Sequence, residues 1–156
     1  MFDNIVANNE INFNELEQKI YKFVCELGCN LLKEIIERYD EKLQDERDKK
    51  AFRHRGLKTD SIKTIMGVVE YKRTIYEYTE GNEKTYMYLL DEKLKLSEFG
   101  KISENLVDKI LNIAVETNSY RDAAEQLMQN LNISISHETV RGYSIKGWNK
   151  NNRKRK

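Results

Sequence analysis

Ser119 to Trp148 reads SYRDAAEQLMQNLNISISHETVRGYSIKGW, two short amphipathic segments separated by a polar break and running into a basic end. Each segment opens on a serine suited to capping a helix: Ser119, with Asp122 three residues on, and Ser136. Ala123, Ala124, Leu127, Met128 and Leu131 mark one face of the first segment, and Val140 sets the inner face of the second. The spacing predicts a helix-turn-helix. Its geometry wants small residues where the helices cross, which Ala123 and Ala124 supply. It also wants an apolar anchor in a short connector, which Ile133 or Ile135 supplies, and a sharply started second helix whose first turns enter the major groove. With Val140 inward, Ser144 and Gly147 share its side. The opposite side carries Glu138, Gly142 and Ile145, flanked by Arg141 on one edge and by Thr139 and Lys146 on the other. Arg141 can read guanine or hold a phosphate, and Glu138 can accept from cytosine. Gly142 permits close approach but costs about 1 kcal/mol of helix stability against alanine.

A third helix precedes these two, capped by Ser103 and facing inward through Leu106, Ile110, Ile113 and Ala114. After the second helix, expected to end near Gly147, comes KGWNKNNRKRK. Lys150, Arg153, Lys154 and Arg155 there suit phosphates without reading sequence, or a solvated tail. Whole-chain charge is only +1, but it is blocky: residues 1–46 carry net −6, 47–84 net +4, 85–140 net −4 and 141–156 net +7. A polyanion responds to potential within about a Debye length, ~8–10 Å, so the overall balance is no bar to nucleic acid.

Upstream, Leu16, Ile20, Phe23, Val24, Leu27, Leu31, Ile35, Tyr39 and Leu43 recur at steps of three and four. They form one stripe of a long helix, with Asn12 and Glu15 at capping-box spacing. That stripe needs a partner, which either the rest of the chain or a second helix can provide. Cys25 and Cys29 stack on it as packing residues rather than as a disulfide or half a metal site. ERDKKAFRHRGLKTD (46–60) reads as a basic helix end stopped by Gly56, and Arg53 and Arg55 make it a phosphate-contacting patch as well. Then the period changes: Val, Ile, Thr and Tyr dominate, and strands are expected near 61–66, 68–79 and 84–90 with a hairpin at 80–83. Val69, Tyr71 and Ile75 alternate onto one face, as do Tyr86, Tyr88 and Leu90; such tyrosines are cross-strand packing pairs before they are base-stacking platforms.

The expected architecture is α+β. It comprises a long amphipathic helix and basic linker (1–60), an antiparallel β-hairpin region (61–92), a three-helix helix-turn-helix (93–148) and a basic tail (149–156). No window approaches the ~20 apolar residues of a membrane span. MFDNIVANNE suits neither a signal nor a transit peptide, so the cytoplasm is the expected compartment and no membrane partner is expected. No P-loop, catalytic triad or metal-ligand spacing is present, and neither cofactor nor metal is expected.

RGLKTDSIKTIMGVVEYKRTIYEY (55–78), YLLDEKLKLSEFGKIS (88–103) and SYRDAAEQLMQNLNISISHETVRGYS (119–144) together resemble, in order and spacing, a known family. It is the N-terminal region of bacterial insertion-sequence transposases of the ISLre type, themselves distantly like Mutator-type transposases. The resemblance implies a β-hairpin and a helix-turn-helix that bind element ends, followed by an RNase H-like catalytic domain with acidic metal ligands. Two-metal chemistry needs rigidly placed carboxylates, and no acid follows Ser144, so no catalytic residue carries over. The expectation is a non-enzymatic, truncated transposase fragment that binds double-stranded DNA at terminal repeats, with a homodimer or a full-length transposase as further partner. The competing expectation is a helical oligomerisation protein.

Overall fold

The computed structural model describes residues 12–153 except 82, 97–99 and 132, and gives the backbone alone for 80, 130 and 146–153. Asn12 opens the first helix, α1 (Phe13–Glu46), its side chain accepting from the Asn14 N–H at 3.0 Å. The helix ends without a cation in its last turn. Arg47 lies just beyond, its guanidinium over the Tyr76 ring at 5.4 Å. The inner face of α1 differs from the expected stripe: Cys29, Leu32, Ile36, Tyr39 and Leu43 pack inward, whereas Ile20, Phe23, Val24, Leu27, Leu31 and Ile35 are exposed. The helix has two apolar faces, and the fold uses the less conspicuous one.

Three strands follow in the order β1 (Arg53–Thr64), β2 (Gly67–Glu80) and β3 (Glu83–Met87), antiparallel throughout. β1 starts eight residues before the expected strand, so residues 53–60 are strand and not linker. Gly56 is not a helix stop. It sits at φ 129° where the register shifts between His54 and Gly56, a β-bulge conformation that glycine accepts without strain. Leu90, expected on the third strand, is fully buried on a short helix, α2 (Leu89–Leu94).

β3 reaches β2 only from Tyr76 onward, which leaves the earlier part of β2 with an open edge. α1 covers it. Glu37 Oε1 accepts from the Lys72 N–H at 2.9 Å, and buried Asp40 accepts through Oδ2 from both the N–H and the hydroxyl of Thr74 at 2.9 and 2.6 Å. Edge amides left bare would invite another strand, and buried ones would forfeit a hydrogen bond each. On the sheet, Arg73 is nearly buried between Asp60 and Asp91, its guanidinium 3.8 Å above the Tyr88 ring. Lys101 reaches Asp60 from solvent at 2.7 Å.

Asp60 and Glu77 both titrate below the ordinary carboxylate range. Burial pushes Asp60 up, but Lys101, the Ser61 N–H and Arg73 together outweigh it; for Glu77 the hydrogen bond from Arg55 dominates. A depressed folded pKa contributes stability above the unfolded value and loses it as pH falls through the folded one. Urea unfolding from pH 7 to pH 2 should therefore show a midpoint falling below about pH 4. Asp60→Asn should flatten that fall, and an unchanged acid limb in this variant would refute the assignment.

The remaining chain forms three helices, α3 (Glu104–Glu116), α4 (Tyr120–Leu131) and α5 (His137–Arg153). They share one core of Leu106, Val107, Ile110, Ala123, Leu127, Ile133, Ile135 and Val140. Ser103 and Ser119 cap α3 and α4 by accepting from the Leu106 and Asp122 N–H groups. α5 runs beyond the expected end near Gly147, so Lys150 and Arg153 fall within a helix and not in a tail. Lys63 ties this unit to the sheet: its N–H donates to Lys101 O and its carbonyl accepts from the Ser103 N–H, both at 2.8 Å. No helix among the described residues is long and apolar enough to cross a membrane.

Candidate nucleic-acid interface

The face in question is built from the start of α5 outward. Ser136 Oγ accepts from the Thr139 N–H at 3.2 Å and lies 2.8 Å from Thr139 Oγ1, so the first turn begins on a satisfied cap. Val140, one turn in, is fully buried against the three-helix core and fixes the rotation of the helix. Helical geometry then sends Glu138, Arg141, Gly142 and Ile145 to the other side, and all four are exposed. Thr139 is half-buried at the edge. Ser144, on the inner side, returns its hydroxyl to the Val140 carbonyl at 2.9 Å.

Ahead of α5, Ile133 and Ile135 are both buried and pin the connector. Between them the Ser134 carbonyl accepts from Lys63 Nζ at 2.8 Å, so the sheet holds the connector that aims α5. Ala123 is fully buried on α4, where a larger residue would push the helices apart. Arg121, in the first turn of α4, is exposed. Sequence reading did not single it out. A cation is disfavoured by the positive end of the helix dipole, and that misfit was the available signal.

The exposed face of α5 offers a guanidinium able to grip guanine O6 and N7, and a carboxylate able to accept from cytosine N4. Ile145 can pack on a thymine methyl. A Cβ built on Gly142 would meet no atom within 4 Å, so nothing in the fold itself demands glycine there. The side chains of Lys146, Lys150 and Arg153 lie outside the described residues, as do Lys154 and Arg155 altogether.

Arg53 and Arg55 do not join this face. They start β1, whereas Lys63 beside the α4–α5 connector is ten residues further along it, a span of ~33 Å at strand rise. Arg55 is also already paired, donating to Glu77 Oε2 at 2.7–2.9 Å, with Lys84 3.7 Å from the other oxygen. Tyr86 and Tyr88 line an open groove beside that pair, together with Ile75. Lys58 lies 5.9 Å from the centroid of the Tyr88 ring, and Arg73, its cross-strand neighbour, is stacked on the same ring at 3.8 Å. That ring is a cation-stacking partner within the fold.

The molecule is thus an α+β protein in which a three-strand antiparallel sheet, edged by one long helix, presents a unit of three packed helices. It belongs to the Uncharacterised protein family (UPF0236), whose match spans residues 6–155. Among its relatives in Caldanaerobacter subterraneus subsp. tengcongensis, a UPF0236 protein with eleven locus designations, TTE0033 the first, is 28% identical over 141 residues, or 90% of this chain. UPF0236 proteins TTE2489 and TTE0402 are each 26% identical over 127 residues, 81% of this chain. The chain spans only 29%, 27% and 25% of the lengths of these three relatives. No solved structure matches it.

Proposed function

We propose that this chain binds double-stranded DNA, with α4 and α5 acting as a helix-turn-helix and α5 lying in the major groove. The observation that carries the reading is the outward face of α5. It begins on a capped turn, is locked in rotation by Val140, and bears Glu138, Arg141, Gly142 and Ile145 in solvent. Seven Lys/Arg and no acids from residue 141 onward supply the attraction to phosphate. Arg121, exposed in the first turn of α4, is the residue we expect to contact the flanking backbone, as the first helix of such motifs does.

The target is the terminal repeats of an insertion sequence. Similarity to ISLre-type transposases in three ordered segments supports this reading. So does the name of one relative, which joins eleven locus designations from a single strain; repetition within a genome is what a mobile element produces. Catalysis is assigned to none of the residues of this chain.

Electrophoretic shift titrations on terminal-repeat and random duplexes, at several salt concentrations, test the proposal. If Arg141 and the basic end neutralise about four phosphates, the log–log salt slope should lie near −3.6. Terminal-repeat duplexes should bind more tightly than random ones at every salt. Folded protein that shifts no duplex at low salt would sink the proposal, and equal affinity for both duplexes would remove the terminal-repeat assignment.

A further inference from the structure

α1 carries an apolar face that the other described residues leave bare. From Phe13 to Val24 every residue except Leu16 is exposed, so this third of the helix has almost no packing of its own. Those twelve residues extend ~18 Å, and a helical segment without tertiary packing is marginal in water. Nothing among the described residues covers it.

The spacing of the stripe indicates what would. Leu16, Ile20, Val24, Leu27, Leu31 and Ile35 follow steps of 4, 4, 3, 4 and 4, which read the same in both directions. A two-fold axis between residues 25 and 26 therefore sets Leu16 level with Ile35 of a second copy, Ile20 with Leu31, and Val24 with Leu27. We propose that two copies of this chain pair through α1 in antiparallel register about that axis. The projecting segment of each copy then lies on the part of the other helix that its own sheet supports.

Charge agrees with this direction. Lys19 and Glu34 fall on the same side of the stripe, and the antiparallel arrangement brings Lys19 of each copy beside Glu34 of the other, two residues from level. Phe13 comes level with Arg38, a cation–π arrangement. The same register also brings Glu17 level with Glu34, a like-charge pair that Lys19 offsets, whereas a parallel pair in register would set Glu17 against Glu17, Glu34 against Glu34 and Arg38 against Arg38. Area agrees too. Phe13, Ile20, Val24, Leu27, Leu31 and Ile35 are 46–73% exposed. Covering them removes about 600 Å² per copy, or ~1,200 Å² for the pair, where specific stable interfaces begin.

Sedimentation equilibrium of the full chain without DNA tests the pairing independently of nucleic-acid binding. A monomer–dimer equilibrium is expected below ~100 µM, and Leu27→Lys, at a position exposed in the monomer, should raise its dissociation constant at least about tenfold. Circular dichroism of that variant should match the parent. Register is read by cross-linking in a Cys25→Ser, Cys29→Ser background. Leu16→Cys chains mixed with Ile35→Cys chains should form a disulfide on oxidation, and Leu16→Cys alone should not. Leu16→Cys cross-linking to itself as readily as to the mixture would replace the antiparallel pair with a parallel one. A strictly monomeric parent at ~100 µM, or a dimer indifferent to folded Leu27→Lys, would overturn the pairing and assign the stripe to a different protein.

Discussion

Arg73→Leu is expected to cost this protein about 3–5 kcal/mol of unfolding free energy, enough to consume a large part of an ordinary domain's stability. The Arg73 side chain is 9% exposed and lies between Asp60 and Asp91, which are themselves 12% and 15% exposed. Removing the guanidinium leaves two carboxylates facing each other in a site from which water is mostly excluded. Lys101 cannot replace it, because that side chain is largely in solvent and reaches Asp60 alone. The Tyr88 ring also loses the cation stacked on it. Arg73→Lys keeps the charge but not the planar fork that meets two carboxylates at once, so an intermediate loss is expected. Arg55→Leu is the control. The Arg55 side chain is 38% exposed, and although its partner Glu77 is only 8% exposed, Lys84 stays 3.7 Å from the other Glu77 oxygen, so a smaller loss than for Arg73→Leu is expected. Urea unfolding of the three variants should rank them Arg73→Leu, Arg73→Lys, Arg55→Leu in order of loss. Equal losses for Arg73→Leu and Arg55→Leu would mean that the buried network does not organise the sheet.

That network was not legible in the sequence, because Asp60, Arg73 and Asp91 meet only after β1, β2 and α2 are assembled. The three helix caps were legible, since Ser103, Ser119 and Ser136 act within four residues of themselves. The inward phase of Val140 was equally local, and it fixed where Arg141 and Gly142 would point. α1 shows what periodicity leaves out. A period near 3.6 identifies a helix and a face, but not what covers the face. Here the stronger stripe, from Leu16 to Ile35, is the one the monomer does not bury. Leu32 and Ile36 were overshadowed because each directly follows a member of the longer stripe, Leu31 and Ile35. β1 was shortened for a related reason. Residues Arg53 to Thr59 are exposed except half-buried Gly56, so they show no alternation. They are strand because β2 offers them a ladder, which is a long-range fact. Arg53 and Arg55 were given a phosphate-contacting role by composition, and strand geometry sets them at the end of β1 away from α5.

On the outer face of α5 the decisive substitution is at Gly142. A glycine in mid-helix costs about 1 kcal/mol against alanine, and here a Cβ would touch nothing in the protein. Gly142→Ala should therefore raise unfolding stability by up to that amount, which shows that the fold does not need the glycine. If the helix lies in a groove, the missing side chain is what allows its backbone close to the base edges. Gly142→Leu should then keep the fold and lower affinity for a terminal-repeat duplex at least about 100-fold, or ~2.7 kcal/mol. Arg141→Ala separates reading from holding. Loss of a bidentate base contact costs about 1–3 kcal/mol on the preferred duplex and little on a random one. A phosphate contact weakens both alike and reduces the salt slope by about one. Fluorescence anisotropy with both duplexes measures all three variants under one condition. Should folded Gly142→Leu bind as tightly as the parent, α5 does not enter a groove by this face, whatever else the chain does with DNA.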